Sequence, residues 1–107
     1  MAFRSDLDAV ILATLADGPL HGYGIVKRVQ KHSGGFLKLG EGQLYPGLHR
    51  LEEAGLITAE WNHEEGRASR KTYSLTSTGR SELKTQRHNW LQFAKSMNSL
   101  FKLHHDG

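Results

Sequence analysis

The chain has 107 residues, a formal net charge of +3, a sequence pI near 9.4 and a mean hydropathy of −0.52. This length fits one domain with a small core; the absence of cysteine excludes disulfides and thiolate metal sites, and no apolar run is long enough to span a membrane. The basic balance favours polyanionic partners, and the opening residues carry no signal-peptide pattern, so the expected location is cytoplasmic.

Ser5 precedes Asp8 by three residues and an apolar run follows, which predicts a capping box and a first helix. Leu7, Val10, Ile11, Leu12 and Leu15 form its apolar side, and Asp17, Gly18 and Pro19 stop it. A second helix is expected over residues 21–32. Ile25, Val26 and Val29 lie on its apolar side and Lys27, Arg28 and Lys31 on its basic side. Ser33, Gly34 and Gly35 end it. Residues 36–39 alternate and are read as a short strand, and Gly40 and Gly42 bracket Glu41 as a turn.

The third helix occupies the stretch 41–55. Leu44, Leu48 and Leu51 stand at i, i+4 and i+7 and share one face. At about 100° per residue the far side holds Gln43, Pro46, His49, Arg50 and Glu53. Pro46 lacks an N–H and suits only a first turn, which places the helix start near Gln43. Gly55 serves as the C-terminal cap. Residues 56–62 and 70–76 are rich in β-branched and aromatic types, and the Gly-bearing loop 63–69 between them predicts a hairpin. A last helix, capped by Thr76, Ser77 or Thr78, runs over residues 78–102, about 37 Å at 1.5 Å per residue.

The expected class is mainly α with a small β-hairpin (α+β): a winged helix-turn-helix over residues 1–77, then a long C-terminal dimerisation helix and tail over 78–107. The dimerisation role follows from Leu83, Trp90, Ala94, Met97 and Phe101, spaced by seven, four, three and four residues and widened by Phe93 and Leu100. A ~37 Å helix outruns a compact domain whose radius of gyration would be about 13 Å.

Double-stranded DNA is the partner this order of elements suits. A reading helix presents its N-terminal residues to base edges. Gln43 is placed for an amide pair with adenine, and His49 or Arg50 for guanine or phosphate. Tyr45 and Pro46 flank them, and Lys27, Arg28, Lys31 and Lys38 supply phosphate contacts. The wing adds Arg67, Arg70 and Lys71. Trp90, Phe93 and Met97 on the seam are candidates for a flat apolar effector, weighed against plain interface packing. His104, His105 and Asp106 form a tail without a second ligand pair, and His63, Glu64 and Glu65 are equally weak, so no metal is expected. No Ser/His/Asp arrangement, P-loop or Gly-rich dinucleotide motif is present; neither an enzyme nor a cofactor is expected.

Four segments resemble the PadR-like family of bacterial transcription regulators. They are Leu12-Ala-Thr-Leu-Ala-Asp-Gly-Pro-Leu-His-Gly-Tyr23, Glu41-Gly-Gln-Leu-Tyr-Pro-Gly-Leu-His-Arg-Leu-Glu-Glu-Ala-Gly-Leu-Ile57, the strand end Tyr73-Ser-Leu-Thr76 and Thr78-Gly-Arg80. The resemblance implies a homodimeric winged-helix repressor, a near-palindromic operator, a small hydrophobic or aromatic effector, and DNA contact around Tyr45. Gln43 stands where the family usually has a small residue and Gly47 where it usually has Ala, so operator preference does not carry over. The competing reading is a winged-helix protein-interaction module without specific DNA binding.

Overall fold

The computed structural model describes residues 6–63 and 65–104. Helix α1 (Asp6–Thr14) leads through a turn to a two-residue strand β1 (Leu20–His21) and helix α2 (Gly22–His32). Helix α3 (Glu41–Glu53), strands β2 (Ile57–Asn62) and β3 (Arg70–Leu75), helix α4 (Ser77–Phe101) and a 3-10 turn (Lys102–His104) follow. The sheet is antiparallel with the order β1-β3-β2. This is the expected α+β winged helix-turn-helix with a long final helix. No helix among the described residues is long and apolar enough to cross a membrane.

One apolar centre holds the three N-terminal helices and the sheet together. Ile11, Leu12 and Leu15 meet Ile25 and Val29 of α2, the α3 stripe Leu44, Leu48 and Leu51, and Ile57, Tyr73 and Leu75 of the sheet. The helix members stand at the predicted periodic positions, while Ile57, Tyr73 and Leu75 come from the hairpin strands and Leu39 from the connection between α2 and α3. Burying a Leu or Ile side chain stabilises by about 1.5–3 kcal/mol, so the α3 stripe alone strongly fixes how that helix is rotated.

Both central helices end in the same way. Gly34 and Gly35 have φ of 65° and 83°, and Gly55 has φ of 76°. After α3 the Gly55 N–H donates to the Glu52 carbonyl and the Leu56 N–H to the Leu51 carbonyl, both at 3.0 Å. This is the double C-terminal bond that a left-handed glycine permits. After α2 the equivalent bonds run from Gly34 to Lys31 and from Gly35 to Gln30.

Three local expectations need correction or fall outside the described part. Residues 36–39 are not a strand; Leu37 N–H donates to Ser33 Oγ at 2.9 Å, which turns the chain. The strand beside β3 is instead Leu20–His21, paired with Tyr73 and Thr72. Helix α3 begins at Glu41, two residues before the expected start near Gln43, with the Gly40 carbonyl accepting from both Gln43 and Leu44. Pro46 therefore lies inside the helix, where its missing N–H leaves the Gly42 carbonyl without its helical donor; Gly42 is exposed, so water can serve that carbonyl. The capping box at Ser5 lies outside the described residues.

The start of α4 is pinned to the end of α3. Thr76 N–H donates to the Leu56 carbonyl at 3.1 Å and its hydroxyl to the Gly55 carbonyl at 2.7 Å. The same hydroxyl accepts from the Gly79 N–H at 3.0 Å, which caps the helix. A Cβ placed on Gly79 would stand 1.9 Å from the Leu56 carbonyl oxygen. Gly79→Ala is therefore expected to cost on the order of 3 kcal/mol by forcing backbone apart, measured by denaturant unfolding.

Candidate nucleic-acid interface

Burial of Leu44, Gly47, Leu48 and Leu51 turns the opposite side of α3 outward. Gly42, Pro46, His49 and Glu53 lie along that outward edge, and all four are exposed. Gln43 and Arg50 lie on the flank toward α1, Tyr45 and Glu52 on the flank toward the sheet. The arrangement follows from helix rotation alone, since residues three and four apart share a face.

The side chains along this edge differ in how they are held. His49 Nε2 lies 3.0 Å from Glu53 Oε1, one turn away. The Arg50 guanidinium donates to Asp8 Oδ1 at 2.9 Å, so it is tied to α1. A Cβ on Gly47 would stand 2.9 Å from Ile11 Cδ1, so the glycine lets α1 approach α3 closely. Gln43 and Lys38 are exposed, with Lys38 preceding the buried Leu39 just ahead of the helix.

On the other flank Tyr45 is about half exposed and rests against Gly22; a Cβ there would come within 2.8 Å of the tyrosine hydroxyl. The first turn of α2 thus positions a phenol at the edge of the α3 face. On α2, Lys27 lies over the Tyr23 ring at 5.4 Å, and Lys31 is exposed. Arg28 instead reaches to the C-terminal end of α1, within 4.0 Å of Asp17 and 3.4 Å of the Thr14 carbonyl.

The sheet register sorts the wing residues. Ile57 pairs with Leu75, Ala59 with Tyr73 and Trp61 with Lys71, so these share the face toward the core. Lys71 Nζ lies 3.9 Å from Glu52 and over the rings of Trp61 and Tyr73 at 5.8 and 5.7 Å. It therefore braces the wing against α3. Arg67 and Arg70 lie at the wing end and, with His21, Trp61, Asn62, His63 and Thr72, line an open concavity of about 880 Å³. His63 Nδ1 and Ser69 Oγ, 2.6 Å apart, close the loop, and Asn62 Nδ2 donates to Thr72 Oγ1.

The seam candidates lie together on α4. Trp90 and Phe93 have ring centroids 5.9 Å apart, and Trp90 is 51% exposed. Phe93 also lines a shallow groove with Asn89, Gln92 and Ser96, which neither Trp90 nor Met97 reaches. Leu91, Leu100, Phe101 and Leu103 add further exposed apolar surface.

Three features of this interface escape sequence reading. They are the Arg50–Asp8 tie, the seat of Tyr45 on Gly22, and the Glu52 clamp on Lys71. Each joins residues distant in the chain, and no periodicity marks such a pair. No group of three or more His, Asp or Glu residues able to hold a metal ion occurs among the described residues.

A family model described as the transcriptional regulator PadR-like family matches residues 11–85. The transcriptional regulator Rv3488 of Mycobacterium tuberculosis (strain ATCC 25618 / H37Rv) is 38% identical over 77 residues, covering 72% of this chain and 68% of that one. A transcriptional regulator from Clostridium thermocellum has a similar structure, with a TM-score of 0.82, 28% identity and 90% of each chain covered. Bacillus subtilis PadR, solved in complex with operator DNA, gives a TM-score of 0.68 at 34% identity, with 80% of this chain and 46% of that one covered. The chain spans 23% and 44% of the length of two further curated matches.

Burial, then the Glu52 carboxylate, then Tyr45, hold the Tyr73 phenol above its ordinary pKa of 10.0. The unfolded chain thus loses this proton first, so the contribution is complete below pH 10 and declines as pH rises toward the folded value. Melting temperatures recorded across alkaline pH should fall less steeply for Tyr73→Phe than for the parent above about pH 10.

Proposed function

Because the chain belongs to the PadR-like family of transcriptional regulators, we propose that it acts as a homodimeric repressor on a near-palindromic operator. The observation that carries this is the exposed polar edge of α3, with exposed Lys38 just ahead of the helix and the wing that bears Arg67 and Arg70 tied to α3 through Lys71 and Glu52. Residues 1–77 form the DNA-binding unit and 78–107 the dimerisation helix and tail. Gln43 and His49 face base edges, with Pro46 shaping the start of that edge. Lys38, Lys27, Lys31, Arg67 and Arg70 take phosphates, and Tyr45 offers its hydroxyl. Arg50 and Lys71 act in this scheme chiefly as braces, since both already meet carboxylates of this chain. The solved operator complex of B. subtilis PadR supports a DNA ligand for the shared segment.

Dimerisation through α4 draws support from its length and its exposed apolar side. The molecule extends 64 × 28 × 23 Å with a radius of gyration of 16.4 Å, well beyond the ~13 Å of a compact chain of this length. In a two-fold dimer the reading helices would lie about one DNA turn, roughly 34–36 Å, apart. Trp90, Phe93 and Met97 would meet their counterparts there and offer a flat apolar effector a place between protomers. An effector would release DNA only through different affinities for two dimer states.

Gel shifts over a salt series, with duplex taken from the DNA upstream of the gene, test the DNA contacts. Lys38→Gln and Arg70→Gln each remove one phosphate contact from each protomer of the dimer, so each should weaken binding and flatten the slope of log K against log salt by about 1.8; unchanged slopes in both would refute the phosphate assignments. Trp90→Glu should convert the dimer to monomer in analytical ultracentrifugation while leaving the helical content of the chain intact, because a charge at a buried seam loses its hydration.

A further inference from the structure

Helix α4 has three distinct sides. Its apolar side carries Leu83, Trp90, Phe93, Ala94, Met97 and Phe101. At 100° per residue, Arg80, Lys84, Arg87 and Lys95 fall within an arc of about 80°, centred roughly 110° from the apolar one. The remaining side is neutral and polar, with Ser81, Thr85, Asn89, Gln92 and Ser96. The helix contains these four cations and a single carboxylate, Glu82, which accepts from Gln86 at 2.8 Å.

All four cations are exposed and make no ion pair among the described residues; the ion pairs present engage Arg28, His49, Arg50 and Lys71. His88 stands at the margin of the arc, and Leu91 lies within it. The packing of α4 on α1 and β3 leaves the arc uncovered. Pairing through the apolar side would leave Lys84 and Lys95 facing outward and set Arg80 and Arg87 along the rim of the seam.

We propose that this stripe is a second phosphate-binding surface, separate from α3 and the wing, that takes the backbone of duplex DNA. It rests on the DNA-binding reading given above and extends it. Arg80, Lys84 and Arg87 span about 11 Å of helix axis and Lys95 stands about 12 Å beyond. That gap is close to the width of the major groove, about 12 Å, so the two groups can meet phosphates of opposite strands. The helix holds the four cation-bearing positions at fixed spacing, so only their side chains have to be ordered. The stripe has no aromatic anchor of the kind that centres protein interfaces; on its flank the Thr85 and Ser96 hydroxyls donate to the Ser81 and Gln92 carbonyls, and the Ser81 hydroxyl and the Asn89 and Gln92 amides suit phosphate oxygens.

Fluorescence anisotropy on a 40-base-pair duplex of random sequence, over a potassium chloride series, tests this with the full chain. The triple variant Lys84→Gln/Arg87→Gln/Lys95→Gln is compared with Lys38→Gln/Arg70→Gln, and sedimentation reports the oligomeric state of each. The stripe variant should keep the parental oligomeric state, bind more weakly and lose about two to three from the salt slope for each protomer whose stripe meets the duplex. A parental slope in the stripe variant, with a reduced slope in Lys38→Gln/Arg70→Gln, overturns the second surface and leaves the reading face standing. A change of oligomeric state in the stripe variant also overturns it, because the stripe would then lie between protomers. No binding of the parent protein to any duplex removes the DNA-binding reading itself, and the second surface with it.

Discussion

The rotation of α3 is the constraint on which the rest of the molecule depends. Leu44, Leu48 and Leu51 are each no more than 2% exposed and pack against α1, α2 and the sheet. Turning the helix by one residue would expose leucine and bury Glu or His, a difference of several kcal/mol against a domain stability of about 5–15 kcal/mol. With that rotation fixed, the outward edge, the two flanks and the position of every polar side chain follow. The double carbonyl cap at Gly55 then sends the chain directly into β2, and the Thr76 bonds return α4 to the same corner.

Periodicity revealed much of this without coordinates. The apolar positions of the first three helices, the hairpin strands and the long last helix agree with the observed elements to within a residue or two, apart from an earlier start to α3. Short or non-periodic features were not legible. Strand β1 has two residues, too few to alternate, and its existence depends on β3 lying alongside it. Residues 36–39 alternate as a strand would, yet Ser33 and the left-handed glycines divert the chain before an edge becomes available. Pro46 reads as a first-turn residue, yet α3 begins at Glu41, because an exposed glycine carbonyl one turn earlier tolerates the missing donor.

The exposed polar surface was legible by residue type and only partly by what each side chain meets. Exposed Gln43, Lys38 and Arg70 stand where the pattern of faces puts them. Arg50 and Lys71 look equivalent to them in sequence, but Asp8 and Glu52 hold both. Guanidinium and ammonium groups take whichever anion the fold brings near, and that anion comes from another element in each case. The distinction between a cation offered outward and one used as a brace is therefore a property of packing, visible only once the elements are assembled.

Proline 46 has one more consequence. It deprives the first turn of α3 of a rung of its hydrogen-bond ladder, so this turn is held by the Gly40 carbonyl and the seat of Leu44 rather than by a continuous set of amides. Positions 42, 43 and 46 make no contribution to the buried centre. Under the proposed DNA-reading role, stability and sequence readout would be carried by different atoms of one helix. In that role, substitutions on the outward rungs would redirect recognition during divergence while the leucine side preserves the fold, giving the scaffold room to acquire new targets at little thermodynamic penalty.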